Sequence, residues 1–287
     1  SSAGSGSISV TVQAGGLEAG TYNGTVILTN TVAGAQMQVP VSLTLAQTVA
    51  NQIPTNGVVN GASFQGGGVA PGEVIAIYGT RIGPSVLTSG RVTSGILDTL
   101  VAETRVVFDG VAAPLIYVSE NQIGAIVPYS VAGKSSTEMQ VEYRGTRSNT
   151  VQLSVTEASP AFFTASANGR GQGGFLNEDL SYNNPANPTE KGKIVVLYAT
   201  GEGQTNPAGV DGKIATEPYP APRLPVTVRV GGEDADILYA GAVAGEVAGL
   251  LQINARIPMS APSGAEVPIT LTVGGATSPP GVTIAIR

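Results

Sequence analysis

Short runs in which apolar and polar residues alternate are the feature that most constrains the fold of this chain. From Ser7 to Gln13 every second residue is apolar, which is the pattern of a β-strand with one buried face. Pairs such as Asp109-Gly110 and Gly231-Gly232 follow some of these runs and suit tight hairpins. The sequence therefore predicts an all-β protein. Further strands are predicted at 25–28, 39–45, 73–78, 104–108, 139–143, 151–155, 194–198, 226–230, 269–273 and 282–286.

An internal repeat predicts two related domains. Tyr198 lies 120 residues after Tyr78, and Gly192 lies 120 residues after Gly72. Further matching segments are 108–110 with 230–232, 122–128 with 252–258, and 143–145 with 273–275. We therefore expect tandem Ig-like β-sandwiches at residues 61–158 and 159–287, the second with a loop insertion at about 201–224 that is rich in Gly, Pro and Asn.

The N-terminal region predicts an incomplete β unit at residues 1–46, followed by a linker at 47–60. Its three predicted strands are too few to close a sandwich. Strand 7–13 follows a Ser/Gly-rich leader, and two interpretations stay open: the strand pairs within the chain, or it is donated to another copy. Donation would bury Ile8, Val10 and Val12, and a head-to-tail contact of this kind builds open filaments.

The missing residue types narrow the range of functions. The chain has no His, Cys or Trp, which excludes Ser-His and Cys-His nucleophiles, thiolate and imidazole metal sites, and disulfides. We therefore predict a non-enzyme with no cofactor and no established metal site. The net charge of −6 and the scattered basic residues argue against nucleic-acid binding. No apolar run is long enough to span a membrane. Because no signal peptide is visible, we expect the sequence to begin after a cleavage site or inside a longer precursor.

Two groups of loop residues are weak candidates for a site. Asp179 and Asp211, the latter with Glu202 nearby in sequence, could serve as oxygen ligands for Ca²⁺. Their spacing matches no known calcium motif, so solvated loop carboxylates are the simpler interpretation. Aromatic residues in loops could stack on a glycan, and these are Tyr182, Tyr219 and Phe175. Most other aromatic residues, including Tyr78 and Phe108, are predicted to lie in the core.

Two resemblances add to this interpretation. Residues from about 59 to 287 resemble the Solibacter-type uncharacterised C-terminal domain family of secreted proteins, through 59–64, 69–73, 113–119, Val196 to Thr205 and 209–212. This resemblance implies an extracellular location and no assigned activity. Residues from about 16 to 45 resemble the second half of a BACON-type domain, which implies a link to carbohydrate binding.

The sequence thus favours a non-catalytic extracellular structural or adhesive surface protein, assembling as a homo-oligomer or filament by strand donation between subunits. The alternative is a carbohydrate-binding accessory module of a larger secreted protein, with a surface glycan as its partner. An enzyme would have to rely on carboxylates alone, in the region 175–212.

Overall fold

The computed structural model describes residues 9–12, 17, 20–45 and 51–287, and it confirms the all-β prediction. Within these residues the regular structure is β-strand, apart from one turn of 3₁₀-helix at Tyr129–Val131. The chain divides into two compact units, Ser1–Val49 and Ala50–Arg287. Each unit has its own strands and is described by itself.

Unit 1 is an antiparallel hairpin of strands β1 (Gly20–Thr29) and β2 (Gln36–Leu45). The side chain of Asn30 stabilises the turn by accepting hydrogen bonds from the backbone of Val32 and Ala33. Residues 9–12, the described part of the predicted strand 7–13, lie outside any strand. Pairing of this strand within the chain therefore does not hold for these four residues, while Ile8 lies outside the described residues.

The first sandwich of unit 2 places two sheets around one core. One sheet has the order β3-β4-β11-β10-β5, and the other has the order β13-β12-β8-β9 with β14 also paired to β12. The strands are β3 (Val58–Asn60), β4 (Val74–Tyr78), β5 (Thr88–Ser89), β6 (Val92–Thr93), β7 (Ile96–Leu97), β8 (Thr104–Phe108), β9 (Val111–Ala112), β10 (Leu115–Val118), β11 (Gln122–Ile126), β12 (Ser136–Tyr143), β13 (Thr146–Arg147) and β14 (Val151–Ser154).

The second sandwich repeats this strand order. Its β17-β23-β22 segment corresponds to β4-β11-β10, and β26-β24-β20-β21 corresponds to β14-β12-β8-β9. The sequence repeat is thus repeated in the topology, while the likeness to immunoglobulin domains stays a prediction. The strands are β15 (Ala161–Phe162), β16 (Gly171–Gln172), β17 (Ile194–Thr200), β18 (Thr205–Asn206), β19 (Ala221–Pro222), β20 (Val226–Val230), β21 (Glu233–Asp234), β22 (Asp236–Ala242), β23 (Leu251–Arg256), β24 (Gly264–Val273), β25 (Ala276–Thr277) and β26 (Val282–Ile286).

Each sandwich has its own hydrophobic core, built from alternate residues of its strands. In β8 the side chains of Thr104, Val106 and Phe108 are buried, while Arg105 is exposed and Val107 is half-buried, as a pleated strand requires. Phe162 and Leu197 occupy the core of the second sandwich. The prediction that Tyr78 lies in the core is wrong. Tyr78 ends β4, and its ring is exposed at the surface.

The predicted linker at 47–60 is wrong for residues 51–60, which belong to the first sandwich. Ile53 and Val58 are buried in its core, and β3 extends the sheet beside β4. The side chain of Asn149 accepts a hydrogen bond from the amide of Ile53 and donates one to its carbonyl. Two apolar anchors and an edge strand therefore fix this segment to the sandwich.

Candidate functional site

The hairpin of unit 1 sorts its side chains into an apolar face and a mostly polar face. Its register places Tyr22 opposite Leu43 and Val26 opposite Val39, so that residues facing each other share a side of the sheet. No member of the apolar face is fully buried. The apolar face consists of Tyr22, Val26, Leu28, Met37, Val39, Val41, Leu43 and Leu45.

The strands of this hairpin also lack charged residues. Residues 20–45 contain no Asp, Glu, Lys or Arg. Natural proteins commonly protect edge strands with such charges, because an unguarded edge offers unpaired backbone groups to another strand. Of the predicted interface residues, Val10 is 54% exposed and Val12 is 50% exposed. Among its described residues, unit 1 therefore combines an apolar face that is only partly buried with strands that carry no charged side chain.

The second candidate site is polar and lies in unit 2, where the two sandwiches meet around Glu73. Glu73, just before β4, is only 1% exposed. Its Oε1 accepts hydrogen bonds from Nδ2 of Asn60 at 2.8 Å and from Oγ of Ser159 at 3.3 Å, and its Oε2 accepts one from the amide of Ala70 at 2.7 Å. Nδ2 of Asn60 also donates to the carbonyl of Ser159 at 3.0 Å. Both sandwiches thus contribute to the surroundings of one carboxylate.

Thr200, at the end of β17, links the backbones of the two sandwiches. Its Oγ1 accepts a hydrogen bond from the amide of Val74 at 2.8 Å and donates one to the carbonyl of Gly249 at 2.7 Å. A Cβ atom added to Gly249 would lie 2.2 Å from the carbonyl oxygen of Gly72, and the φ of Gly249 is +106°. The backbone segments around Gly72 and Gly249 therefore approach each other so closely that only glycine fits at position 249.

A second buried carboxylate, Glu202, lies beside this contact. Glu202 is 4% exposed, and its Oε2 has no hydrogen-bond partner among the described residues. Burial raises the pKa of Glu202 to about 7. Burial also raises the pKa of Glu73 to about 8, and the charge of Glu202 contributes to that rise. Burial, with the charges of Glu202 and Asp211, raises the pKa of Tyr129 above its usual range, so this phenol stays neutral.

The insertion at 201–224 fastens the second sandwich to the first. Oδ1 of Asp211 accepts a hydrogen bond from the amide of Tyr129 at 2.8 Å, and the carbonyl of Gly212 accepts one from Leu97 at 2.8 Å. The amide of Ile214 donates to the carbonyl of Gly95. These bonds leave a cavity of about 170 Å³ between the insertion and the sandwiches. Its walls include Tyr129, Glu202, Pro207, Val210, Pro218 and Ala248.

The two calcium candidates hydrogen-bond with different segments. Oδ1 of Asp179 accepts bonds from the amide and the hydroxyl of Ser181, which lower the pKa of this carboxyl and close its own turn. Asp211 holds the amide of Tyr129, as described above. Within the described ranges, no three or more acidic side chains are grouped as a metal site would need. The structure thus gives each of these carboxylates a local hydrogen-bonding role.

The three glycan candidates differ in exposure. Tyr182 is 41% exposed and donates a long hydrogen bond to the carbonyl of Gly173. Tyr219 is half-buried. The prediction that Phe175 is an exposed loop residue is wrong, because its ring is fully buried and packs edge-on against Phe162 with the ring centroids 5.2 Å apart. Tertiary contact with a core aromatic, which the loop sequence does not reveal, decides the position of Phe175.

Glu73 and Thr200 are among the junction residues that are not predicted from the sequence. One signal was present in the repeat, whose 120-residue offset aligns Glu73 with Lys193. A change from anion to cation at equivalent positions indicates that the two positions have different surroundings. The structure shows that difference directly, since Lys193 forms a surface ion pair with Glu178.

Comparisons with known proteins give limited information. No protein-family model and no curated protein matches this chain, so the two family resemblances stay predictions. The plexin A4 extracellular region is similar in two structures, with 10% identity, TM-scores of 0.28 and 0.27, and 85% of this chain covered against 19% and 16% of those chains. An endo-fucoidan hydrolase of glycoside hydrolase family 107 is similar at 9% identity and a TM-score of 0.19, covering 94% of this chain and 34% of that chain.

This chain spans between about a sixth and a third of the length of those solved structures. TM-scores this low support no inference about function. In the part of the chain that the structure describes, no helix has both the length and the apolar composition needed to cross a bilayer.

Proposed function

We propose that this chain is a non-catalytic structural or adhesive protein of the cell exterior that assembles through unit 1. Segment 7–13 of one copy adds as a strand to the hairpin edge of the next copy. The observation that carries this proposal is the hairpin itself, whose described residues form an apolar face that stays partly exposed on strands without charge. Two strands alone are marginal in water, so a third strand provides stability that the hairpin lacks.

The donor segment matches the acceptor in its pattern. Val10 and Val12 are half-exposed, and together with Ile8 they form one apolar row when the segment is extended. Full burial of an aliphatic side chain contributes roughly 1.5–3 kcal/mol, so three such residues contribute several kcal/mol before ordering costs. The added strand aligns this row with the apolar face of the hairpin. The apolar hairpin face of another copy then packs against the apolar face of this three-stranded sheet, as in a two-layer sandwich.

Deletion of residues 1–13 tests strand donation. Light scattering after size exclusion and electron microscopy of the full chain are expected to show assemblies, and the deletion is expected to remove them. The thermal melt of unit 2 should stay the same, because its cores lie within residues 51–287. Assembly that survives the deletion, or a full chain that stays monomeric at high concentration, would contradict the proposal.

A matched pair of double variants tests the register of the added strand. Val10→Lys with Val12→Lys places charges on the buried row, whereas Ser9→Lys with Thr11→Lys places the same charges on the opposite face. The first pair is expected to abolish assembly and the second to preserve it. Equal loss in both pairs would mean that net charge, and not a buried strand face, controls association.

The extracellular location is part of the same proposal, and the resemblance of residues 59–287 to secreted proteins supports it. Carbohydrate binding has weaker support, because Tyr182 is the one exposed side chain among its three predicted aromatic residues. Calorimetric titration with oligosaccharides, comparing the full chain with Tyr182→Ala, measures that alternative. Binding that the substitution removes would favour the accessory-module function over assembly.

A further inference from the structure

The junction between the two sandwiches buries two carboxylates in one place. Neither Glu73 nor Glu202 forms a salt bridge within the described residues, although both are almost completely buried. Three donors satisfy Glu73, while Oε2 of Glu202 accepts none. Burying an unpaired charge is costly, and burying two like charges close together costs more. We propose that this junction is a proton-dependent latch, tight while Glu73 and Glu202 together hold at least one proton and loosened when both are ionised.

The other titratable groups around the pair do not neutralise it. The charge of Glu202 raises the pKa of Glu73, and the charges of Glu202 and Asp211 raise that of the Tyr129 phenol, so these neighbours are negative or neutral. Lys213 and Glu217 line the cavity beside Glu202, and both are exposed to solvent. Asp211 is also a carboxylate, so it cannot act as a counter-charge for the pair. The proton itself is therefore the counter-charge that best suits the closed junction.

The sign of the effect follows from the direction of the shifts. Burial raises the pKa of Glu73 to about 8 and that of Glu202 to about 7, both from an ordinary value of 4.5. A carboxyl group with a raised pKa stabilises the folded state fully below its ordinary pKa and loses that contribution as the pH rises through the folded value. Stability of unit 2 should therefore fall between about pH 5 and about pH 9.

The geometry also indicates which contacts loosen first. The cavity of about 170 Å³ beside Glu202 has room for several water molecules at roughly 30 Å³ each, so water has a short path to an ionised carboxylate. A Cβ atom on Gly209 would lie 2.2 Å from the ring of Tyr129, which shows how closely the insertion packs there. Hydration of Glu202 would push the insertion away from Tyr129 and release the Asp211 bond.

Thermal unfolding of the full chain at about pH 5.5 and about pH 9 tests the latch. The Tm of the wild-type protein is expected to fall by roughly 10 °C over this range. Glu202→Gln keeps the shape and removes one of the two charges, so the fall should become smaller, and the part that remains should come from Glu73. Glu217→Gln, a control on the same cavity wall, should behave like wild type. A flat wild-type profile, or an unchanged fall in Glu202→Gln, would overturn the proposal.

A second measurement uses the wild-type protein alone, in case the variant folds poorly. Infrared spectra in D₂O should show a protonated carboxylic acid band near neutral pH that disappears by about pH 9. Hydrogen exchange, corrected for the intrinsic rate, should become faster in peptides from the insertion than in those from β23. Absence of the band at neutral pH, or equal protection of the insertion at both pH values, would contradict the latch. Because these measurements report on residues of unit 2, their outcome is distinguishable from that of the assembly experiments on unit 1.

Discussion

The two sandwiches enter their equivalent strands β4 and β17 through the same local pattern, a glycine followed by a charged residue. In the first sandwich this residue is Glu73, which is almost fully buried and accepts hydrogen bonds from both sandwiches. In the second it is Lys193, whose side chain is 52% exposed and pairs with Glu178 at 3.1 Å. The second sandwich packs against the Glu73 end of the first sandwich, whereas the Lys193 end of the second sandwich is exposed to solvent. Equivalent positions of a repeat therefore share backbone structure but differ in the chemistry they require.

Charge reversal at the two positions gives the largest expected contrast. Glu73→Lys buries a cation among the donors of Asn60 and Ala70, and we expect a loss of about 3–5 kcal/mol in the free energy of unfolding. Lys193→Glu replaces an exposed ion pair and should change it by no more than about 1 kcal/mol. Urea unfolding followed by circular dichroism measures both. Similar losses in the two variants would mean that Glu73 is not enclosed as described.

Substitution at the glycine contact should have the next largest effect. Gly249 and Gly245 both have positive φ, so alanine is strained at either position, but open space surrounds Gly245 and the carbonyl of Gly72 faces Gly249. We expect Gly249→Ala to cost about 1–3 kcal/mol more than Gly245→Ala. The same urea titration compares them, and equal costs would show that the backbones have room to separate.

Thr200 and Thr80 are equivalent residues of the repeat, and they provide a third contrast. Thr200→Val removes the acceptor of the Val74 amide and the donor to the Gly249 carbonyl inside the junction, at a cost of about 1–3 kcal/mol. Thr80 is exposed, so Thr80→Val should have little effect. If the two variants unfold at the same urea concentration, the hydrogen bonds of Thr200 do not hold the sandwiches together.

The smallest expected effect is an acid sensitivity confined to the first sandwich. Hydrogen bonds from Lys134, Glu138 and Thr137 lower the pKa of Asp109 to about 2, and the repeat has Gly231 at the equivalent position. A lowered pKa stabilises the fold above about pH 4, and this contribution is lost as the pH falls through about 2. Asp109→Asn should flatten the Tm profile below about pH 4, while Asp234→Asn, on the exposed hairpin of the second sandwich, should not.

Local sequence patterns were sufficient for much of the fold. The predicted strands at 104–108, 226–230 and 282–286 coincide with β8, β20 and β26, because alternation over five residues reports a pleated, half-buried strand. Strand β3 has only three residues, so its alternation is too short to detect, and the sequence predicts a linker at this position. The pattern also predicted a strand at 7–13 whose described residues, 9–12, form none in the isolated chain.

The junction could not be predicted in the same way. Its hydrogen bonds join Asn60 to Ser159 and Val74 to Thr200, pairs that are about a hundred residues apart in the sequence. No local rule brings such pairs together, and the Gly- and Pro-rich composition of the insertion suggests a free loop. Its carbonyl and carboxylate groups instead bind the first sandwich.

The contact between Gly72 and Gly249 has a consequence for how this chain can be divided. The repeat in the sequence predicts two separate domains, and their predicted boundary, between residues 158 and 159, suggests a site for dividing the protein. Such a cut would uncover bare backbone and a buried carboxylate on both fragments at once, because each half provides part of the other's interior. The two sandwiches therefore form one structural unit, and an expression fragment or a fusion protein has to contain both of them.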